Sequence, residues 1–278
     1  MLYVRNPAVV GIARRDAYHV IQPRHPVFTL RPTDVDAISR LMAIACQPIS
    51  AATIDDICGR ATRADLENAG VLLRSDAAEA SPSSAAGATA DRPCQHLVLG
   101  LTGAIATAQV APYTLDLFRK FAQRIDVILT SGARRIVRPQ FFNFVGITAW
   151  TDPFEAHGRC AVPHIHLAET ATLIAVVPAS AGTLHRLATG ACSDLLSLTI
   201  TATRAPVVLF PAMNAAMWDS PPVRRNISQL RQDGFFVVEP TIGIEVANAT
   251  PGYGSMGVGP LGPLSVLREV LALVNTGP

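Results

Sequence analysis

Five short apolar runs constrain this chain more than any other feature. They are "HLVLGL" (96–101), "IDVILTS" (125–131), "ATLIAVVPAS" (171–180), "APVVLFP" (205–211) and "GFFVVEP" (234–240). None alternates apolar with polar residues, so each reads as a strand buried on both faces. Helical patterns separate them, over about 109–123, after 180, after 211, and over about 261–275. Such alternation predicts an α/β fold with a parallel sheet, helices on both faces and right-handed crossovers. Ligands on these sheets sit at the carboxyl ends of the strands.

The chain has 278 residues, 49% hydrophobic and 16% charged, enough to bury a large core. A net charge of +2 gives no electrostatic case for nucleic acid or an anionic membrane. The cysteines at 46, 58, 94, 160 and 192 are scattered and include no CxxC, which argues against a disulfide framework or a zinc site and fits a reducing cytoplasm. The apolar stretch Ala8 to Ala13 is too short for a signal sequence, and no run approaches the length of a membrane span.

Residues 76–93, "DAAEASPSSAAGATADRP", read as a flexible linker between residues 1–75 and residues 94–278. The N-terminal part has a strand-like pair at about 17–22 and 27–30. A helical pattern follows at Val35, Ile38, Leu41, Met42 and Cys46, with Thr33 as its cap and Asp36 three residues on. "SAATIDDICGR" opens with Ser50 as an N-cap, "TRADLENAG" ends at Gly70, and "VLLRS" reads as a short strand or wing. Together these describe a small winged-helix-like domain. Its charges are mixed and no basic recognition helix stands out, which favours peptide binding or a structural role over DNA binding.

Most of the unusual residues fall at strand ends. "GLTGAIAT" (100–107) offers the Thr102 hydroxyl and lets a backbone approach an anion at Gly103. With no GxGxxG and no GK[ST], a mononucleotide fits better than a dinucleotide or a nucleoside triphosphate; a tight strand-to-helix turn is the plainer reading. "LTSGA" (129–133) adds Thr130 and Ser131, which could face the same phosphate. "PASAGT" (178–183) brings Ser180 and Thr183 to a helix start, among small residues that let a flat ring approach backbone amides. His164 and His166 stand upstream in "VPHIHL", and imidazole exchanges protons near neutral pH. In "PAMNAAMW" (211–218) an asparagine lies between two methionines directly after a buried strand, either a helix start with an apolar face or a binding clamp.

Taken in order, "LTGAIA", "LTSGA", "HIHLAETATLIAVVPASAGT" (164–183), "GACSDLL" (190–196) and "PAMNAAMW" resemble one family, the homo-oligomeric flavin-containing cysteine decarboxylases. It includes the phosphopantothenoylcysteine decarboxylases and the lantibiotic peptidyl-cysteine decarboxylases. The resemblance covers about residues 96–275. It implies a flavodoxin/Rossmann-like sheet that binds FMN at the interface of a homotrimer, with further assembly to a dodecamer. His164 matches the catalytic His, and Asn214 the Asn that holds the substrate carboxylate. Met217 would line the substrate pocket. The cofactor residues carried over are Thr102, Gly103, Ala104, Thr130, Ser131, Ser180, Gly182, Thr183, Asp194 and Met213; no metal is implied. The implied chemistry oxidises the carbon bearing sulfur to a thioaldehyde, an electron sink that permits loss of CO2 and leaves an enethiolate. An orienting Asn suits that step better than Arg, since a tight ion pair would stabilise the ground-state carboxylate.

The departures favour one branch. The phosphopantothenoylcysteine enzymes carry a Cys in a glycine-rich loop after the last strand that returns a proton to the enethiol; here "NATPGYGSMGVGPLG" (248–262) has none. The expected substrate is therefore a precursor peptide with a C-terminal Cys, and the product a C-terminal aminoenethiol. A small-molecule cysteine-conjugate decarboxylase is the alternative. Gly182 stands where the family usually has Asn, and Ser193-Asp194 where Asp-Asn is usual. These changes leave room for a flavin-binding regulatory subunit with weakened catalysis. The N-terminal segment lies outside the family's minimal fold, and a leader-binding role is the sharper of its readings.

Overall fold

The computed structural model describes residues 2–5, 10–15, 17–21, 28–30, 35–44, 49–69, 71–74, 92–154, 160–245, 250–257 and 262–275. The N-terminal part contains β1 (Leu2–Arg5), β2 (Val10–Arg14), β3 (Ala17–Ile21), β4 (Phe28–Leu30), α1 (Val35–Ile44), β5 (Ile49–Ser50), α2 (Ala51–Cys58), α3 (Arg60–Asn68) and β6 (Leu72–Arg74). Next come β7 (Cys94–Leu101), α4 (Thr107–Lys120), β8 (Ala122–Leu129), α5 (Ser131–Arg134), α6 (Gln140–Phe144), β9 (Thr148–Trp150), α7 (Pro163–Thr170), β10 (Leu173–Ala179), α8 (Ala181–Ala188) and α9 (Leu195–Ala202). The chain continues through β11 (Val207–Pro211), β12 (Met213–Asn214), α10 (Ala215–Trp218), α11 (Pro221–Gln232), β13 (Phe236–Val238), β14 (Thr241–Glu245), β15 (Thr250–Gly257) and α12 (Gly262–Asn275).

The five apolar runs are β7, β8, β10, β11 and β13. They pair in parallel in the order β13-β11-β10-β7-β8, and β9 adds a sixth parallel strand beside β8. Alternate residues of each run serve opposite faces, which is why the runs show no polar gaps. Leu97, Leu99 and Leu101 pack with Val110 of α4 and Leu267 of α12 on one face. Val98 packs with Leu167, Leu184 and Leu196 of α7, α8 and α9 on the other. Gly100 lets α9 lie close to the sheet: a Cβ there would fall 2.6 Å from Leu196 Cδ1. The expected flavodoxin-like layering, helices on both faces of a parallel sheet, is what forms.

The N-terminal strands do not stand apart. β2 pairs antiparallel with β13, through Val237↔Ala13 and Val238↔Ile12, and β3 and β4 follow in a meander. The result is one nine-stranded mixed sheet, β4-β3-β2-β13-β11-β10-β7-β8-β9. Val10 and Ile12 enter the core of the α/β part. Helices α1, α2 and α3 cover a core of their own around Ile38, Leu41, Ile54 and Leu66. Of the segment read from the sequence as a separate module, β2, β3 and β4 extend the main sheet, while β5, β1 and β6 form a three-stranded antiparallel sheet of their own. Most of the expected linker, residues 76–91, lies outside the described residues.

A buried ion network fastens this junction. Arg231 of α11, 3% exposed, donates to Asp36 of α1 at 2.6 Å and to Glu239 just after β13. Ser39 donates to the same Glu239 at 2.6 Å, and Ser228 to Asp36 at 2.7 Å. Burial alone would raise the Asp36 pKa, but the Ser228 hydrogen bond and the Arg231 charge bring it below the ordinary value.

The glycine-rich stretch near 250, read as a loop, is instead the strand β15. It pairs with β14 on one side and β12 on the other, in register Met213↔Met256 and Asn214↔Ser255.

Candidate active site

Three parallel strands, β8, β10 and β11, end within three residues of a helix cap, a fourth cap lies between α8 and α9, and together these make the candidate site. Thr130 after β8, Ser180 after β10, Asp194 before α9 and Asn214 after β11 each accept a backbone N–H three residues on. Residue types that cap helices are also those that offer polar groups at a strand end, so the same side chains orient the helix starts.

The β7 and β8 loops meet at two glycines. A Cβ on Gly132 would lie 2.8 Å from Gly103 Cα, and one on Gly103 3.1 Å from Gly132 Cα. Only glycine permits that approach. Thr102 is fully buried; its hydroxyl donates to Pro178 O at 2.7 Å and accepts from Ser180 N at 3.0 Å, tying the end of β7 to that of β10. Thr107 closes the loop by donating to Thr102 O at 2.6 Å. Thr130 donates to Leu101 O at 3.2 Å. The hydroxyls of Thr102 and Thr130 therefore hold the backbone, while Gly103 and Ser131 are exposed and Ala104 is half-buried at the edge.

A polar chain runs from α8 to α9. Ser180 Oγ and Thr183 Oγ1 are 3.1 Å apart, Arg186 Nη2 donates to Thr183 Oγ1 at 3.1 Å, and Arg186 Nε lies 3.3 Å from Asp194 Oδ2. Arg186 did not stand out in the sequence, although three residues after Thr183 it shares that helix face. Gly182 is exposed, with Arg186 Nη1 3.8 Å from where its Cβ would be. The small residue usually replaced by Asn thus leaves a guanidinium beside the site.

Beyond β11, Ala212 N donates to Ala179 O at 3.0 Å, so the last two strand ends are joined. β12 then alternates. Met213 is 8% exposed and packs in the core with Trp218, whereas Asn214 faces out. Met213, expected to border the cofactor, is a core residue on this strand, and Met217, 45% exposed, is the methionine left at the surface. Asn214 Oδ1 accepts from Met217 N at 2.8 Å. That bond fixes the amide orientation: oxygen inward, the NH2 outward as a donor.

His164 sits on α7, directly after Pro163 at the helix start. Its ring is half-buried and its Nδ1 has no hydrogen-bond partner among the described residues. Its neighbour His166 has a different task. Arg124 reaches His166 Nε2 at 3.4 Å and Asp126 Oδ2 at 2.7 Å, and Asp126 also binds His96 Nε2 at 2.7 Å and Trp150 Nε1 at 3.1 Å. This cluster docks α7 against β7, β8 and β9. Within one chain, no hydrogen bond or ion pair among the described residues joins His164 to Asn214 or to the β7, β8 and β10 ends.

The family model described as Flavoprotein matches residues 87–257, more than half of the chain. The chain belongs to the Flavoprotein family. The Flavoprotein match spans every strand end just described. Coenzyme A biosynthesis bifunctional protein CoaBC of Bacillus subtilis is 38% identical over 150 residues, 54% of this chain and 37% of CoaBC. The chain therefore spans little more than a third of that relative. Mersacidin decarboxylase of Bacillus sp. (strain HIL-Y85/54728) is 30% identical over 158 residues, 56% of this chain and 80% of that protein. Among solved structures, the FMN-dependent cysteine decarboxylase SpaF is 29% identical, with a TM-score of 0.54 over 66% of this chain and 98% of SpaF. The epidermin biosynthesis protein EpiD of Staphylococcus aureus, 24% identical with a TM-score of 0.54, shares the fold over 63% of this chain and 99% of its own.

A flavin nucleotide suits this edge. The Gly103–Gly132 contact packs backbone on backbone, so the β7 and β8 loops present side-chain-free backbone to a phosphate, and Thr102 ties the N-cap Ser180 of α8 beside it.

Proposed function

We propose that the chain is an FMN-dependent decarboxylase that converts the C-terminal cysteine of a ribosomally made precursor peptide to an aminoenethiol. The observation that carries this reading is Asn214, whose amide NH2 is turned outward by its own helix cap at the carboxyl edge of the sheet. Two N–H donors at a fixed position suit a terminal carboxylate. They orient it without the strong ion pair that would oppose its loss.

Bound FMN supplies the two-electron oxidation of the carbon bearing sulfur. The residues of this chain do the rest. Gly103, Gly132 and Ser131 would receive the phosphate, and Ser180, Gly182 and Thr183 the ring system, with Arg186 and Asp194 bracing that helix start. His164 takes the thiol proton at its imidazole. Asn214 holds the carboxylate until CO2 departs. β15, paired to β12, backs Asn214 so that it keeps its place through that step.

His164 lies in sequence between Val162 and Ile165, which are 47% and 40% exposed. An apolar surface around an unpartnered histidine supports a site completed by a second subunit, as in a homotrimer. Likeness to mersacidin decarboxylase and SpaF supports the cysteine chemistry.

The decisive measurement is mass spectrometry of a Cys-terminated peptide incubated with the flavin-loaded protein. The expected change is a loss of about 46 Da, from CO2 and two hydrogens. No loss from any Cys-terminated peptide, with flavin bound, overturns the reading. A second reading, decarboxylation of phosphopantothenoylcysteine, is favoured by the 38% identity to CoaBC. The lack of a Cys in 248–262 counts against it. Turnover of that small molecule in preference to the peptide would establish it.

A further inference from the structure

A cavity lies at the opposite edge of the sheet, where β11 and β13 begin, away from the strand ends of the candidate site. Its volume is about 1070 Å³, and it is bounded by the β2–β3 turn, the end of α9 and the end of α12. Among the described residues three arginines line it, Arg14, Arg15 and Arg204, with one carboxylate, Asp233.

Two of these arginines are built around one glycine. Arg14 Nε donates to Gly234 O at 2.7 Å, and its guanidinium lies 4.3 Å over the Phe236 ring. Arg15 packs on the other side: a Cβ on Gly234 would fall 3.0 Å from Arg15 Nε and 3.2 Å from Nη2. Gly234 has φ +96 and Arg15 φ 49, so both backbones take the left-handed region to bring the charges together. No carboxylate among the described residues pairs with Arg15 or Arg204. Asp233 accepts instead from Gln229 at 2.8 Å. Burial first, and then the Arg15 charge, lower the Arg14 pKa.

One part of the wall is apolar, with Ile200, Phe235 and Val274. A compact inorganic anion would use the charges and leave that wall bare. Spaced carboxylates with aliphatic side chains between them would use both, and the volume stands at the upper end for a small-molecule pocket. We propose that this cleft binds an acidic peptide segment, its carboxylates held by Arg14, Arg15 and Arg204. Only the identity of that segment, as the upstream part of the substrate peptide, rests on the decarboxylase reading above.

The probe is a fluorescein-labelled peptide of alternating glutamate and alanine, followed by fluorescence anisotropy on the flavin-loaded protein. Its glutamine counterpart is the control, and inorganic phosphate the competitor. The glutamate peptide should bind, weaken with added salt, and bind about tenfold or more weakly to the Arg15→Ser/Arg204→Ser variant. Both residues are exposed, so the variant should keep its flavin and its turnover of a short Cys-terminated peptide. Equal binding of the glutamine peptide, unchanged affinity in the variant, or displacement by inorganic phosphate at equimolar concentration would each overturn the proposal. Arg204→Glu gives an independent reading: it should abolish binding, and retained affinity counts against the site. Turnover of the short peptide reports on the decarboxylase separately, so either idea can fail alone.

Discussion

Gly103 and Gly132 touch through their backbones, with 2.8 Å left for a Cβ on Gly132. Two loops that follow adjacent strands are thereby held at a distance no side chain permits. Gly132→Ala should push them apart and spoil the nucleotide cradle. The expected result is a protein that folds, at a cost of about 1–3 kcal/mol from overpacking, and purifies largely without flavin. The ratio of visible to ultraviolet absorbance measures it; full flavin content would show that the cradle lies elsewhere.

Asn214 serves as helix cap through oxygen and faces outward through nitrogen. Asp is as good a cap as Asn but has no N–H to offer and brings a negative charge. Asn214→Asp should therefore leave the melting temperature nearly unchanged while turnover falls by about a hundredfold or more, comparable to losing an oriented donor. Equal loss of stability and activity would reduce Asn214 to a structural cap.

His164→Asn tests the base. Flavin content should be retained and the rate of peptide mass loss should drop by about 10²–10⁴-fold. His166→Asn should behave differently. It removes the Arg124 contact that docks α7, so the deficit should appear in thermal stability. If the two variants show the same rate, His164 has no special part.

Asp126 is 1% exposed. Burial by itself raises its pKa, yet hydrogen bonds from His96 and Trp150 and the Arg124 charge bring it below the ordinary value. A depressed carboxylate adds stability above its unfolded pKa of about 3.9, and loses it as the pH falls toward the folded value, where the unfolded chain binds more protons. Unfolding free energies from urea titrations should be lower for Asp126→Asn than for wild type by ~3 kcal/mol at neutral pH, with the gap narrowing below about pH 4. A gap independent of pH would remove the charge from the account.

Gly100→Ala should be costly despite its small size, because Leu196 Cδ1 occupies the space at 2.6 Å. A loss of about 1–3 kcal/mol in denaturant midpoint is expected.

The sheet was legible because Leu97 to Leu101 and Leu173 to Val177 serve both faces and so leave no polar gaps. The site was legible because Thr130, Ser180 and Asn214 are cap residues lying just where apolar runs stop. Other features had no local signal. β9 is only three residues within an irregular stretch. The pairing of Ala13 with Val237 joins positions too distant in sequence for any periodicity to register. Met213 looked like pocket lining beside Asn214, but the two-residue alternation of β12 turns one in and the other out. Arg186 was hidden because its partner Asp194 comes from the next helix.

The attachment of β2 to β13 has a consequence for anyone who shortens the chain. β13 has only three residues, and its ladder is completed by Ile12 and Ala13. Cutting at the apparent linker would bare a row of backbone donors and acceptors along β13 and leave Arg231 and Glu239 without Asp36 and Ser39. The fragment would carry a sticky rim that recruits other strands, and association through that rim would be a trait of the cut, separate from the trimer proposed for the intact chain.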